Sequence, residues 1–510
     1  MKPLTVSLSD CSASRTRISD TRPMLTPSDT STLSHEEKDA LLQEKDALLE
    51  HKDVLIGQLV VRVQELVTRV QELESRLSKN SHNSSKPPSS DGLKKTQSLR
   101  RKSGKRPGGQ VGHAGKTLRQ AAVADHVVEQ KLPERCDACH AALPVAQAQV
   151  QERRQVLDIP VARHEVTEYR TLSLVCQCGK LHESRFPEKV TEHVQYGPNI
   201  RAVAVHFTQG QLLPYARASE LMADLYQLDI SPGTLHGWTR EADALLSPSV
   251  QAIAQQVSQS PVVHVDESGL RVQAKLQWLH TSVTPTHTWY GVHPKRGIEA
   301  VNAFGVLKDY AGVLVHDCWA PYWLIQCVHA LCNAHLLREL TFLAQSSGQA
   351  WPQRMMDMLL AAHRGCERAR TQGITAVPSR QVLRWIRRYR ALLDEGQALN
   401  PQRVKEQGKR GRAKQSDAFN LLRRLRDHEQ EVLRFARDLS VPFTNNLAER
   451  AIRMPKVKQK ISGCFRTFAG AQSFCTIRSY LDTARKHGVG MLEALRAAFN
   501  GAPMEFVGSG

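Results

Sequence analysis

A seven-residue repeat of apolar positions dominates the chain from about residue 35 to residue 79. EKDALL occurs at 37–42 and again at 44–49, and RVQEL occurs at 62–66 and again at 69–73. One heptad position is apolar throughout, and its partner position is leucine in the second half. These positions are Leu42, Leu49, Ile56, Val63, Val70 and Leu77, and Leu59, Leu66 and Leu73. So narrow a stripe predicts a coiled coil, most simply a dimer, with a lone amphipathic helix as the alternative.

The segment after the repeat cannot continue a helix. NSHNSSKPPSSDG occupies 80–92, and residues 93–120 contain nine Lys or Arg and no acidic residue. A chain kept extended by Gly and Pro can lie along a phosphate backbone and release counterions. We therefore expect 80–122 to be a flexible basic linker that contacts nucleic acid, rather than merely a solvated linker. The expected contacts include Arg100, Arg101, Lys102, Lys105 and Arg106.

Two close cysteine pairs indicate a metal-binding unit over 123–189. They are Cys136 and Cys139 in CDAC and Cys176 and Cys178 in CQC, with thirty-six residues between the pairs. Four thiolates on two turns can surround a structural Zn²⁺, with His140 and His182 as lower-ranked alternative ligands. The alternating sequence between the pairs predicts strands.

The next segment, 190–255, is helical in pattern. YARASELMADLYQLDISPGTLHGWTREA at 215–242 predicts a helix, a turn and a second helix, with Ser231 as the N-cap of the second. This arrangement fits a DNA-reading helix-turn-helix, although many helical hairpins never contact DNA.

Apolar strands that end in acids follow. PVVHVDESGLRV at 261–272 leads into Asp266 and Glu267, and AGVLVHDCWAPYW at 311–323 leads into Asp317. Carboxylates at neighbouring strand ends can bind Mg²⁺ and support phosphoryl transfer. A helix-capping acid is the alternative for either aspartate alone.

Composition narrows the class of partner. The net charge is +19 over 510 residues, which points to a polyanion and first to nucleic acid. No apolar run is long enough to cross a membrane, and residues 1–34, which are rich in Ser and Thr, lack a signal-peptide core and are expected to be disordered. The eleven cysteines fit metal binding in a cytoplasmic protein better than disulfides.

Several of these motifs resemble a known family when taken together. NSHNSSKPPSSDG, RPGGQVGHAGKTL, VDESG, VHDCWAPYW, LCNAHLLREL and TNNLAERAIR resemble successive motifs of the bacterial insertion sequence 66 transposases, which are of the Asp-Asp-Glu type. The resemblance runs from about residue 37 to residue 490. Ser268 replaces the usual Thr, Cys318-Trp319 replaces the usual Gly-Tyr, and LLREL carries one of the usual paired arginines.

The resemblance implies a multidomain α/β fold with an RNase H-like core, a mixed sheet flanked by helices. That core would consist of 256–335 and 439–490, interrupted by a basic helical insertion at 336–438 and followed by a tail at 491–510. Asp266 would lie on the first strand, Asp317 just past the fourth and Glu449 on a later helix, together holding Mg²⁺ or Mn²⁺.

Neighbouring residues would support this site. Asn446 would be the helix N-cap, in a capping box with Glu449. His335 and Arg338 would flank the site, and DNA phosphates would be held by Arg453, Lys456, Lys458 and Lys460.

The implied activity is cleavage at the terminal inverted repeats of a transposon, followed by strand transfer into target DNA. Partners would be DNA, a second subunit or higher oligomer through the coil, and small accessory proteins, at the bacterial nucleoid. The alternatives are a zinc-containing DNA-binding regulator or decayed transposase without catalysis, and a zinc hydrolase using His264, Asp266 and His335.

Overall fold

The computed structural model describes residues 34–80, 83–84, 118–404 and 413–506. Nearly all of the expected disordered stretch 1–34 lies outside these residues. So does most of the basic linker, including Arg100, Arg101, Lys102, Lys105 and Arg106. One compact unit ends at Lys79 and a second begins at Asn80.

The first unit contains one long helix, α1 (His35–Ser78). Ser34 caps it: the Ser34 hydroxyl accepts from the Glu37 amide, and the Glu37 carboxylate accepts from the Ser34 amide. The predicted helix is confirmed, whereas its pairing with another helix stays a prediction. Its heptad leucines are exposed, for example Leu59 at 57% and Leu66 at 53%, so none of the described residues of this unit covers the apolar stripe.

The second unit begins with a largely irregular stretch. Its strands here are β1 (Ser173–Val175) and β2 (Leu181–Glu183), which pair antiparallel. The longer strands predicted between the cysteine pairs are wrong, because only Ser173–Val175 is a strand there. Alternation alone does not make a strand: Val156 and Ile159 are 92% and 86% exposed, so they have no apolar surface to pack against.

A five-stranded mixed sheet lies at the centre of the second unit. Its strands are β3 (Val262–Val272), β4 (Lys275–Val283), β5 (Thr288–His293), β6 (Val313–His316) and β7 (Val328–Leu331). Their order in the sheet is β5-β4-β3-β6-β7. The first three strands form an antiparallel meander, and β6 and β7 run parallel to β3.

Helices cover this sheet and continue beyond it. They are α2 (Pro198–Val205), α3 (Tyr215–Tyr226), α4 (Pro232–Gln259), α5 (Ile298–Phe304), α6 (Asn333–Ser346), α7 (Trp351–Thr371), α8 (Ser379–Leu399), α9 (Asp417–Asp427), α10 (Glu429–Val432), α11 (Arg434–Arg437), α12 (Asn446–Ser462), α13 (Phe468–Lys486) and α14 (Met491–Phe499). The predicted mixed α/β character is confirmed. None of the described helices has the length and apolar character that a bilayer span requires.

The helix after the predicted turn is longer and more buried than a free recognition helix. Ser231 is its N-cap, as predicted, and accepts from the Thr234 amide. However, α4 continues to Gln259, and Leu235, Trp238 and Leu246 on it are buried in the core beneath the sheet. This helix therefore helps to build the core, and any DNA contact is left to its exposed face.

The helices α6–α11 enclose a second core around Trp351, Tyr389 and Leu422, in agreement with the predicted helical character of 336–438. The expected tail at 491–510 is wrong, because α14 buries Leu495 and Ala498 in the main core and Phe506 packs there too. The apolar positions of MLEALRAAF fall on one helical face, so this segment gains stability by packing.

Candidate active site

Two aspartates lie side by side, one within the central strand of the sheet and one directly after the neighbouring strand. In the parallel pair, His264 on β3 is in register with Val315 on β6. Two residues further along each chain, Asp266 on β3 is level with Asp317, which directly follows β6. The prediction that a strand ends at Asp317 agrees with β6, whereas the prediction that a strand ends at Asp266 is wrong, because β3 continues to Val272 through its pairing with β4. The parallel pairing of β3 with β6 brings the two aspartates to the same level.

The third acid, Glu449, lies in the first turn of α12, which packs against β3. It is close enough for its charge to raise the pKa of Asp266. The carboxylate oxygens of Asp266, Asp317 and Glu449 are not all within 4.8 Å of one another. The three acids share one electrostatic environment in this structure without forming a closed ligand shell.

Asp266 is the most perturbed member of this set. Burial, together with the negative charges of Glu267, Asp317 and Glu449, raises the pKa of this carboxyl to about 8. Like charges held together in a poorly solvated place are stabilised by a bound cation, and carboxylate oxygens are the ligands that Mg²⁺ prefers. The donor set therefore fits a hard divalent ion.

A fourth carboxylate, Glu267, is buried and fully paired. Its Oε1 accepts from Arg296 Nη2 at 2.6 Å, and its Oε2 accepts from the Tyr322 hydroxyl at 2.6 Å. The Arg296 guanidinium also stacks on Trp319, 4.2 Å from the ring centre. Glu267 thus adds negative charge beside Asp266 while its own oxygens are occupied, a distinction that the DE dipeptide alone does not reveal.

Asn445 joins three elements at the site. Its side-chain Nδ2 donates to the Val265 carbonyl at 2.7 Å, and its side-chain Oδ1 accepts from His264 Nδ1 at 2.9 Å. Its backbone amide donates to Cys332 Sγ at 3.1 Å. Because Oδ1 must be the acceptor, the proton of the His264 ring lies on Nδ1. Burial lowers the pKa of His264 to about 4, so the ring is neutral.

The predicted capping role of Asn446 is wrong. The N-cap of α12 is Asn445, and its side chain makes no capping hydrogen bond because it is used by β3. Asn446 is exposed, and the Glu449 side chain points away from the helix start. The two adjacent asparagines look equivalent in sequence, and only tertiary packing distinguishes them.

Glu449 instead faces the start of α6. Its Oε1 lies 3.9 Å from Cys332 Sγ and 3.8 Å from His335 Nδ1, and its Oε2 lies 3.8 Å from Arg338 Nη2. The expected proximity of His335 and Arg338 to the site is therefore observed. The sequence offers Cys332 and His335, together with Cys327 and His329, as a possible second metal site, and the structure places Cys332 and His335 here beside Glu449.

The residue after Asp317 adopts a backbone conformation that glycine accepts more easily. Cys318 has φ of 75°, in the left-handed region, where a Cβ carries a steric penalty. Its neighbour Asp317 is fixed by the Trp319 amide, which donates to Oδ1 at 3.1 Å. Cysteine in place of the usual glycine at this position thus has a local conformational cost, but it leaves Asp317 in place.

A basic face extends from Glu449 along α12. Arg453, Lys456 and Lys460 are exposed, and helical spacing places them on the same side as Glu449. Lys458 does not belong to this face. It lies over the Phe465 and Phe474 rings, and burial lowers its pKa to about 8. Helical periodicity alone would have placed Lys458 on the opposite side.

The cysteine pairs lie on two tight turns. The Cys139 and Ala138 amides lower the pKa of the Cys136 thiol, and the Cys178 amide and thiol do the same for Cys176. Left-handed residues close both turns, namely His140 at φ 57° and Gly179 at φ 85°.

The structure does not gather the four thiols. The group of three or more metal-ligating atoms within 4.8 Å of one another in the described residues is Cys332, His335 and Glu449. The zinc site of Cys136, Cys139, Cys176 and Cys178 therefore stays a prediction, supported by two turns whose amides already favour thiolates.

Comparison with known families places the site within a matched region. The family described as Transposase IS66 family matches residues 193–473, more than half of the chain, and includes all three acids. A family of unknown function (DUF6444) matches residues 27–119. No curated protein matches the chain.

Asn445→Ala should lower the free energy of unfolding of the second unit by about 2–5 kcal/mol, since two buried groups lose their partners. All seven tryptophans lie between residues 238 and 385, so urea denaturation followed by tryptophan fluorescence reports this unit. The matched control, Asn446→Ala, removes an exposed neighbour and should change stability by less than about 0.5 kcal/mol. Equal effects of the two substitutions would contradict the assignment.

Proposed function

The chain belongs to the IS66 transposase family, and we propose that it cleaves DNA at transposon ends and joins them to target DNA through Asp266, Asp317 and Glu449. The observation that carries this proposal is the proximity of three partly buried carboxylates from different elements beside a basic helix face. The strand order β5-β4-β3-β6-β7 supports an RNase H-like core. So do the positions of Asp266 on β3, the first of these strands in sequence, and of Asp317 directly after β6, the fourth.

The carboxylates of Asp266, Asp317 and Glu449 would hold Mg²⁺ or Mn²⁺. Such an ion activates water and stabilises the leaving oxygen of a phosphodiester. Hydrolysis at an end frees a 3′-hydroxyl. In the second step this hydroxyl attacks a phosphorus of the target strand and forms a new phosphodiester, and the 3′-oxygen of the adjoining target nucleotide leaves as a hydroxyl. No covalent intermediate with the protein is required.

The chain's own residues position these groups. Asn445 fixes the start of α12 against β3, and this fixes the approach of Glu449 to the aspartates. Arg453, Lys456 and Lys460 would neutralise phosphates next to the reacting bond. Burial of Asp266 excludes water and strengthens electrostatic interactions within the site.

Asp266→Asn should reduce nicking of DNA that carries the element's ends by at least about 10²-fold, the scale for one preorganised electrostatic group. The substitution removes a partly buried carboxyl whose ionisation its surroundings disfavour, so tryptophan-monitored stability should not fall. DNA binding in a gel-shift assay should be retained. A wild-type chain that binds ends but never nicks them with Mg²⁺ or Mn²⁺ would instead indicate the non-catalytic regulator.

Lys456→Met and Lys458→Met test the basic face with one chemical change at two positions. Loss of a phosphate contact at Lys456 should reduce the slope of log affinity against log salt by about 0.9. Lys458→Met should leave the slope unchanged, because that side chain lies on aromatic rings. Anisotropy of a labelled duplex over a salt series measures both, and a slope change for Lys458→Met alone would refute this orientation.

The helix α1 would pair with α1 of a second subunit, so that two transposon ends are handled together. Its exposed leucine stripe supports this. The four cysteines would hold a structural Zn²⁺ in a unit that, with the exposed face of α4, recognises the ends. Accessory proteins of the element would act with this assembly.

Leu59→Lys combined with Leu66→Lys should convert a dimer into a monomer, because each leucine contributes about 1.5–3 kcal/mol when buried in a seam. Light scattering after size-exclusion chromatography gives the mass. The control carries lysine at Gln58 and Gln64, away from the seam, and should remain dimeric. A wild-type monomer, or a dimer that survives the leucine changes, would reject pairing through α1.

A further inference from the structure

A second cluster of metal-ligating side chains lies beside the carboxylates. Cys332 precedes α6, His335 lies in its first turn, and Glu449 approaches from α12. One ligand atom from each residue lies within 4.8 Å of the others. The sequence separates Glu449 from the other two by more than a hundred residues, so tertiary folding creates this cluster.

The polar atoms of the cluster are poised for a ligand. His335 Nδ1 is buried and has no hydrogen-bond partner within the described part of the chain. The Cys332 thiol points to Glu449 Oε1 over 3.9 Å, and the Asn445 amide donates to the same sulfur at 3.1 Å. A buried nitrogen left unpaired carries a desolvation cost that a bound ion would remove.

We propose that Cys332, His335 and Glu449 bind a zinc-class divalent ion at a site that shares Glu449 with the proposed magnesium site and differs from it in its sulfur and nitrogen ligands. Tetrahedral zinc, at about 2.3 Å from sulfur and about 2.0–2.2 Å from nitrogen or oxygen, separates its ligand atoms by about 3.3–3.6 Å. The distances of 3.8 and 3.9 Å to Glu449 Oε1 need to shorten by only a few tenths of an ångström.

The ligand types decide which ion binds. Thiolate and imidazole suit Zn²⁺ and Co²⁺, whereas Mg²⁺ requires oxygen ligands. Binding replaces the thiol proton: Cys332 Sγ forms a bond to the ion and releases one proton to solvent, so charge and atoms balance. The Asn445 amide orients the sulfur, as outer hydrogen bonds do in metal sites. Three protein ligands leave a fourth position for water.

Cobalt titration of the reduced, metal-free full chain tests the site by a signal other than catalysis. The wild-type spectrum minus that of Cys332→Ser should show a thiolate-to-cobalt charge-transfer band, and Cys332→Ser should bind one Co²⁺ fewer. The cysteines of the predicted zinc unit are present in both proteins and cancel. Cys366→Ser, a buried cysteine on α7, is the matched control and should match the wild type.

His335→Ala and Glu449→Gln should each weaken cobalt binding at this site at least about tenfold with tryptophan-monitored folding intact. His335→Ala carries the test if Cys332→Ser does not fold. Excess Mg²⁺ should not displace the cobalt, and Asp266→Asn should retain it, so this proposal can fail or succeed independently of the catalytic one. Identical spectra for wild type and Cys332→Ser, no effect of His335→Ala, or displacement by Mg²⁺ would overturn the proposal.

Discussion

The hydrogen bonds of Asn445 connect β3, which carries Asp266, with the start of α12, which carries Glu449. The side chain of Asn445 binds β3, and its backbone amide donates to Cys332 at the start of α6. One residue at the start of α12 therefore joins three elements. The three acids come from segments separated by 51 and 132 positions in sequence, and nothing local holds them together. A buried side-chain amide whose donor and acceptor are both hydrogen-bonded is costly to disrupt, and it fixes the geometry of its partners.

The same region balances buried charge in two different ways. Glu267 is paired locally with Arg296 and Tyr322, which offset part of the effect of burial, although burial still raises its pKa. Asp266 has no such partner, and its raised pKa records the cost of holding a carboxylate near others. Functional sites commonly retain such unfavourable groups at the expense of stability, and the surrounding helices and sheet must supply the difference.

Sequence patterns predicted the elements better than the contacts between them. The apolar strands that carry Asp266 and precede Asp317, and the helix that carries Glu449, follow from local periodicity. The choice of Asn445 over Asn446 and the contact of Cys332 with Glu449 depend on tertiary packing. The direction of the Lys458 side chain could be predicted from helical spacing, whereas the contact of Cys332 with Glu449 joins segments over a hundred residues apart. The segment expected to be a tail contains the packed helix α14, and the apolar stripe of that helix is short.

The most direct test is the position of Mn²⁺ in crystals of the full chain bound to transposon-end DNA, located by anomalous scattering. The account predicts Mn²⁺ coordinated by Asp266 and Asp317, with Glu449 completing the site from α12. Mn²⁺ bound elsewhere, or at the aspartates with Glu449 turned away in the DNA complex, would contradict the assignment of the three acids.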